Sequence, residues 1–152
     1  MIPVRRAEIE DADAVARVIN SAFRPAEEFF VEGDRISVGG VREFFEKGLF
    51  LVAGDFAGVI YVELRGERAY FGLLSVDPSQ QGAGIGRALV AAAEDMARAH
   101  ECRYMDIKVV NLRTELPPRY EKLGYTHAGT EPWPAGVPSK LPCHFLLMEK
   151  AL

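Results

Sequence analysis

The sequence has no excess of basic residues, few cysteines and no long apolar run. Its 152 residues include 18 lysines and arginines against 22 aspartates and glutamates, a formal net charge of −4. Proteins held on nucleic acid by phosphate contacts usually carry a basic surface, so we expect no nucleic-acid partner. The acidic balance is better suited to a cationic substrate.

The two cysteines, Cys102 and Cys143, lie far apart and form no C-x-x-C pair. This spacing excludes a disulfide framework and a structural zinc site, so we expect two reduced packing residues and no metal. No apolar run approaches the length of a membrane span, and the stretch from Met1 to Arg6 lacks the apolar core of a signal peptide. We therefore expect a cytoplasmic protein without membrane contact.

The overall composition is that of a globular protein, with 49% hydrophobic and 26% charged residues. The length suits one domain with a single core, so we expect residues 1–152 to form one domain. No internal repeat or linker interrupts the sequence.

The most informative stretch is a glycine loop that follows an apolar run. Tyr70 to Val76 has the pattern of a buried strand, and glycines then stand at alternate positions, Gly82, Gly84 and Gly86. The segment after the loop has apolar residues at helical spacing, namely Ile85, Leu89, Ala92, Ala93 and Met96. A strand, a glycine loop and a helix start together predict a site for a phosphate or pyrophosphate, because the first amides of a helix lack partners.

The glycine spacing decides which phosphate ligand is expected. A dinucleotide fold requires G-x-G-x-x-G and a Walker loop requires G-x-x-x-x-G-K-[ST], whereas this loop has G-x-G-x-G followed by Arg87. With Gln81, Gly84 and Gly86 it resembles instead the [Q/R]-x-x-G-x-[G/A] acyl-CoA loop of the GCN5-related N-acetyltransferase (GNAT) family. The V-x-P from Val76 to Pro78 is also common at the end of that family's fourth strand.

The order of predicted elements agrees with this resemblance. We predict strands at 4–7, 49–53, 58–64, 70–76, 104–110, 125–130 and 144–150, and helices after Glu10, at 41–47, after the glycine loop and at 117–123. Pro25 is predicted to end or redirect the first helix, and Ala26 to Gly40 to form a partly helical lid. The whole order resembles the GNAT fold: a mixed α/β sheet, mostly antiparallel, with one splayed parallel pair of strands flanked by helices.

The resemblance implies a role for each residue of the loop. The backbone of Leu74 and Val76 would bind pantetheine, and the pyrophosphate would be surrounded by Gln81, Gly82, Ala83, Gly84, Gly86 and Arg87. The implied co-substrate is acetyl-CoA. The implied reaction is direct attack by a primary amine, on a small molecule or a peptide, in a ternary complex.

A second segment, from Arg119 to Tyr125, resembles the family's Y-E-K-L-G-F signature. The resemblance implies that Tyr120 is the general acid that protonates the coenzyme thiolate; the alternative is a packing tyrosine with its hydroxyl in water. Asn111 matches an asparagine that often binds pantetheine in the family. Here it stands farther from Tyr120 than is common, and Asn111 could instead cap or turn the chain.

No general base is defined by the sequence. Glu63, on a strand, could withdraw a proton through water or be a solvated edge residue, and His144, at the start of the last strand, could be a base or a structural histidine. The acceptor wall is predicted from residues 23–35 and 131–142, with substrate contacts from Phe29, Glu32, Arg35 and Trp133. Glu32 suits a cationic substrate better than proton abstraction. The loop around Trp133 fits a pocket wall and a homodimer contact equally well.

Two other classes of function remain open at this point. A non-catalytic acyl-CoA-binding or sensing domain would keep the cradle from Gln81 to Arg87 but lack an acceptor pocket. A nucleotide-binding regulatory domain would use the same loop for another phosphate ligand.

Overall fold

A seven-stranded sheet organises the structure, a computed structural model that describes residues 2–152. The strands are β1 (Val4–Arg6), β2 (Leu49–Ala53), β3 (Gly58–Arg65), β4 (Arg68–Val76), β5 (Tyr104–Val110), β6 (Thr126–Pro132) and β7 (His144–Ala151). Their order is β1-β2-β3-β4-β5-β7-β6, and β4 and β5 are the one parallel pair. The mixed sheet predicted from the sequence is confirmed.

Helices cover both faces of this sheet. They are α1 (Ala12–Glu27), α2 (Val38–Lys47), α3 (Ile85–Ala99) and α4 (Leu116–Lys122). Because strand side chains alternate between faces, the core has two parts. Val15 and Ile19 of α1 pack with Phe50 and Tyr61 on one face, and Leu89 of α3 belongs to the cluster on the other.

The first two helices differ from the prediction at one end each. The first helix does not end at Pro25, because α1 runs through Pro25 to Glu27. A proline near the last turn removes only one backbone donor, and Glu28 N still donates to Arg24 O (3.0 Å). Helix α2 begins at Val38 rather than Val41 because the Ser37 hydroxyl accepts from the amide of Gly40 (3.0 Å).

None of the helices within residues 2–152 is both long enough and apolar enough to span a bilayer.

The parallel pair is joined at one end and open at the other. Strands β4 and β5 are in register only from Arg68 to Tyr70. There the Arg68 guanidinium donates to both carboxylate oxygens of Asp106 (2.8 and 2.6 Å) and to Glu149 of β7 (2.7 Å). Beyond Tyr70, β4 contains a bulge against β3, and Leu73 adopts a left-handed φ of 53°. The two strands therefore separate towards their C-terminal ends.

A buried polar network fastens α3 to the far part of the sheet. The Glu94 side chain, 8% exposed, accepts hydrogen bonds from the Tyr125 hydroxyl (2.8 Å) and from Lys150 Nζ (3.0 and 3.1 Å). Burial and the hydrogen bond to Glu94 raise the pKa of Tyr125, so its hydroxyl remains a donor. With these hydrogen bonds the buried carboxylate of Glu94 is satisfied. Without Glu94, the Tyr125 hydroxyl and the Lys150 ammonium would each lose an acceptor.

We expect Glu94→Ala to lower the free energy of unfolding by roughly 2–4 kcal/mol, because a buried hydroxyl and a half-buried ammonium would lose their acceptor. Urea denaturation followed by circular dichroism measures this loss. Asp95→Ala, on the same helix but with a 79% exposed side chain, is the control and should change stability by less than about 0.5 kcal/mol. Equal effects of the two substitutions would contradict a structural role for the network.

Candidate active site

The gap between β4 and β5 opens into a cleft of about 980 Å³. On the α3 side it is lined by Val76 and by residues of the glycine loop, and on the α1 side by Phe23 and Tyr70. Tyr70 packs with the α1 part of the core, whereas Tyr120 packs with the α3 part. The cleft therefore passes through the sheet and connects its two faces.

The glycine loop leaves open space in front of a helix N-terminus. Gly82 and Gly84 have left-handed φ angles of 88° and 79°, and a Cβ added at either would meet nothing within 4 Å. Helix α3 begins after Gly84 with no side-chain cap and no acidic residue in its first turn. Its first amide groups and the positive end of its dipole are thus available to an anion. Ala83 lies between these glycines but does not line the cleft.

The cleft has the opposite charge to the chain as a whole. Six cationic and three anionic side chains line it, namely Arg35, Arg87, Lys108, Arg113, Arg119 and Lys122, and Glu27, Glu115 and Glu131. All three carboxylates are used in ion pairs: Glu131 with Lys108 (2.8 Å), and Glu27 and Glu115 with Arg113 (3.0 and 3.1 Å). The remaining four cations have no carboxylate partner within residues 2–152. This excess favours a polyanionic ligand.

Tyr120 is brought to this cleft by α4. Its ring lies 6.0 Å from the ring centres of both Phe71 and Tyr125, so the α3 part of the core fixes its position. Burial raises the pKa of Tyr120 to about 12, although the positive charge of Arg113 acts in the opposite direction. The phenol is therefore protonated at neutral pH.

The two bases considered from the sequence, Glu63 and His144, do not line the cleft. Glu63 accepts hydrogen bonds from the Tyr61 hydroxyl and from Arg65 Nε (both 2.7 Å), and the bond from Arg65 is the main reason that its pKa is lowered. A low pKa weakens a general base. His144 is exposed at the start of β7.

Asn111 also lies outside the cleft lining. Its side-chain oxygen accepts from the amide of His144 (2.8 Å), and its own amide donates to the carbonyl of His144 (2.9 Å). These bonds fix the start of β7 against the end of β5. Binding of pantetheine by Asn111 stays a prediction.

The predicted acceptor residues divide into two groups. Arg35 and Trp133 line the cleft; Trp133 stacks on Phe145 at 5.3 Å and donates to the carbonyl of Val137. Phe29 and Glu32 are exposed outside it, Phe29 with its ring against Phe30 and Glu32 at 4.0 Å from Lys140.

The structure adds a buried ion pair to which the sequence analysis assigned no role. Glu27, at the end of α1, and Arg113, after β5, meet in the cleft with side chains only 10% and 12% exposed. Burial raises the pKa of Glu27 despite the opposing charges of Arg113 and Arg35. The partners are 86 positions apart, and no local spacing in the sequence indicates such a contact. Within residues 2–152 no group of three or more potential metal ligands occurs.

Comparison with known proteins agrees with this geometry. The fold is that of the GNAT acetyltransferases. The chain belongs to the GNAT acetyltransferase family, because the model of the acetyltransferase (GNAT) domain matches residues 26–139, most of its length. The resemblance to the GNAT family that the glycine loop carries is thus confirmed.

Solved structures share the fold at low sequence identity. The ribosomal-protein-S18-alanine N-acetyltransferase of Escherichia coli superposes with a TM-score of 0.80 at 18% identity, covering 99% of this chain and 94% of that one. The paia N-acetyltransferase of Thermoplasma acidophilum, in complex with coenzyme A, gives 0.80 at 18%, covering 100% and 99%. The yncA protein of Salmonella typhimurium, with its cofactor acetyl-CoA, gives 0.76 at 18%, covering 100% and 94%.

Proposed function

We propose that the protein transfers the acetyl group of acetyl-CoA to a primary amine by direct attack in a ternary complex. One observation carries this proposal: the N-terminus of α3, which has no side-chain cap, and Tyr120 line the same cleft. Two proteins of the same fold are described with acetyl-CoA and with coenzyme A, which supports this co-substrate.

The residues of the α3 side fit the coenzyme. Gly82 and Gly84 leave open space for the pyrophosphate beside the free amides of α3. Gly86 lies in the first turn of this helix, and Arg87 beside it adds a cation. Leu74 and Val76 lie on the part of β4 that has separated from β5, so their outward backbone groups are free to bind an extended pantetheine arm. Arg119 and Lys122 of α4 supply further positive charge to this side.

The transfer needs an acid for the leaving sulfur. The amine nitrogen attacks the thioester carbonyl carbon, the carbon–sulfur bond breaks, and Tyr120 gives its proton to the departing thiolate. Burial raises the pKa of Tyr120, and burial in the same cleft would also raise the pKa of the coenzyme thiol. The proton therefore passes between two groups whose pKa values are both raised. Tyr120 then recovers a proton from solvent.

We assign Glu27, rather than Glu63 or His144, to accept the proton that the amine releases. It is a carboxylate of the cleft, and burial brings its pKa closer to neutrality, where a general base is more effective. Arg113 acts electrostatically on both Glu27 and Tyr120, so the proposed acid and base have a common neighbour.

Replacing Tyr120 by phenylalanine should lower kcat by at least about 100-fold, because the thiolate would lose its proton donor while the packing of the ring is kept. The dissociation constant of acetyl-CoA, measured by calorimetry, should stay within about twofold. Tyr104→Phe, which alters an exposed tyrosine outside the cleft, is the matched control. Full turnover by Tyr120→Phe would show that another group is the acid.

Placing carboxylates in the glycine loop should abolish coenzyme binding. In the double variant Gly84→Asp/Gly86→Asp, two negative charges would stand where the pyrophosphate binds, and we expect calorimetry to detect no acetyl-CoA binding. A near-native circular dichroism melting curve would show that the variant is folded. Unchanged binding would refute the cradle. Binding by the unaltered protein without thiol release for any amine would favour an acyl-CoA-sensing domain.

Glu27→Gln should lower kcat by about 10- to 100-fold and remove the acidic limb of the pH–rate profile. That limb arises because a protonated Glu27 cannot accept a proton, so activity falls as the pH drops through its raised pKa. Glu28→Gln, at the exposed neighbouring position, should leave the profile unchanged. An acidic limb that persists in Glu27→Gln would exclude Glu27 as the base.

A further inference from the structure

The opening of the cleft on the α1 face has a cation, Arg35, that forms no ion pair with a carboxylate of the described residues. We call this opening the acceptor mouth and define it by Phe23, Glu27, Arg35 and Tyr70. The Arg35 guanidinium lies 5.6 Å from the centre of the Phe23 ring. Its positive charge opposes the rise in the pKa of both Glu27 and Tyr70, and all four residues line the cleft.

Arg35 is the unpaired cation of this mouth. Glu27 is bound by Arg113 at 3.0 Å, and Asp34, next to Arg35 in sequence, is bound by Arg24. The remaining unpaired cations of the cleft lie in the first turn of α3 (Arg87) and on α4 (Arg119 and Lys122). The coenzyme's phosphates would occupy that side of the sheet, which leaves Arg35 without a counter-ion.

An amine with no other charge would not use this cation. A protonated amine would be repelled by it, whereas a carboxylate on the same molecule would form charge-assisted hydrogen bonds with its planar fork of donors. The neighbouring Glu27 would attract the ammonium group. Arg35 and Glu27, which line the same opening, thus complement a molecule that carries both charges.

We propose that the acceptor is a small primary amine that also carries a carboxylate, as amino acids do, and that Arg35 binds this carboxylate. The proposal rests on the N-acetyltransferase function argued above. It narrows the expectation drawn from the overall acidic charge, which suited a cationic substrate, to an amine that also carries a negative charge.

The test uses the twenty amino acids and their carboxamides, which keep the amine and lose the negative charge. Transfer from acetyl-CoA is followed by thiol release. For the best amino acid we expect kcat/KM to exceed that of its carboxamide by about 10- to 100-fold, the range of a charge-assisted hydrogen bond. Arg35→Gln should remove this preference by lowering only the value for the amino acid, and Arg35→Lys should keep part of it.

Arg42→Gln is the control, because Arg42 is an exposed arginine of α2 that does not line the cleft. It should leave the preference intact. Equal rates for acids and carboxamides, or an equal loss of both in Arg35→Gln, would overturn the proposal. Acetyl-CoA binding without transfer to any amino acid would also overturn it, while leaving acetyl transfer to other amines open. Absence of acetyl-CoA binding would instead refute the proposed function itself.

Discussion

The structure depends on the way in which two parallel strands are held together at one end only. Arg68 binds Asp106 of β5 and Glu149 of β7, where β4 and β5 are still paired. A few residues later the bulge at Leu73 turns β4 away. Unpaired strand backbone inside a protein is costly unless a ligand or water satisfies it, so the separation leaves backbone groups that an extended ligand can satisfy.

Charge is distributed unevenly over this framework. The chain is acidic overall, yet its cleft carries more cations than carboxylates. The carboxylates of the cleft are paired with arginine or lysine, and the free cations lie at the start of α3, on α4 and in the loop before α2. A net charge summed over the sequence therefore gives the wrong sign for the site, because electrostatic attraction depends on the groups that face the ligand.

Local pattern explains what the sequence could predict. The strand before the glycine loop, the loop and α3 follow from apolar spacing and from glycine, and β5 was predicted with the bounds that the structure has. Helix ends were harder to predict. Gly39 and Gly40 are poor helix formers, yet they lie in the first turn of α2, and Pro25 lies inside α1. The Glu27–Arg113 pair joins positions from opposite halves of the chain, and it forms only when the end of α1 meets the segment that follows β5.

The passage of the cleft through the sheet has a kinetic consequence. If the coenzyme enters from the face covered by α3 and the amine from the face covered by α1, the two molecules meet head to head without sharing a route. Neither would block the departure of the other, so steric hindrance would impose no compulsory order of arrival. The acetylated product could leave while coenzyme A is still bound.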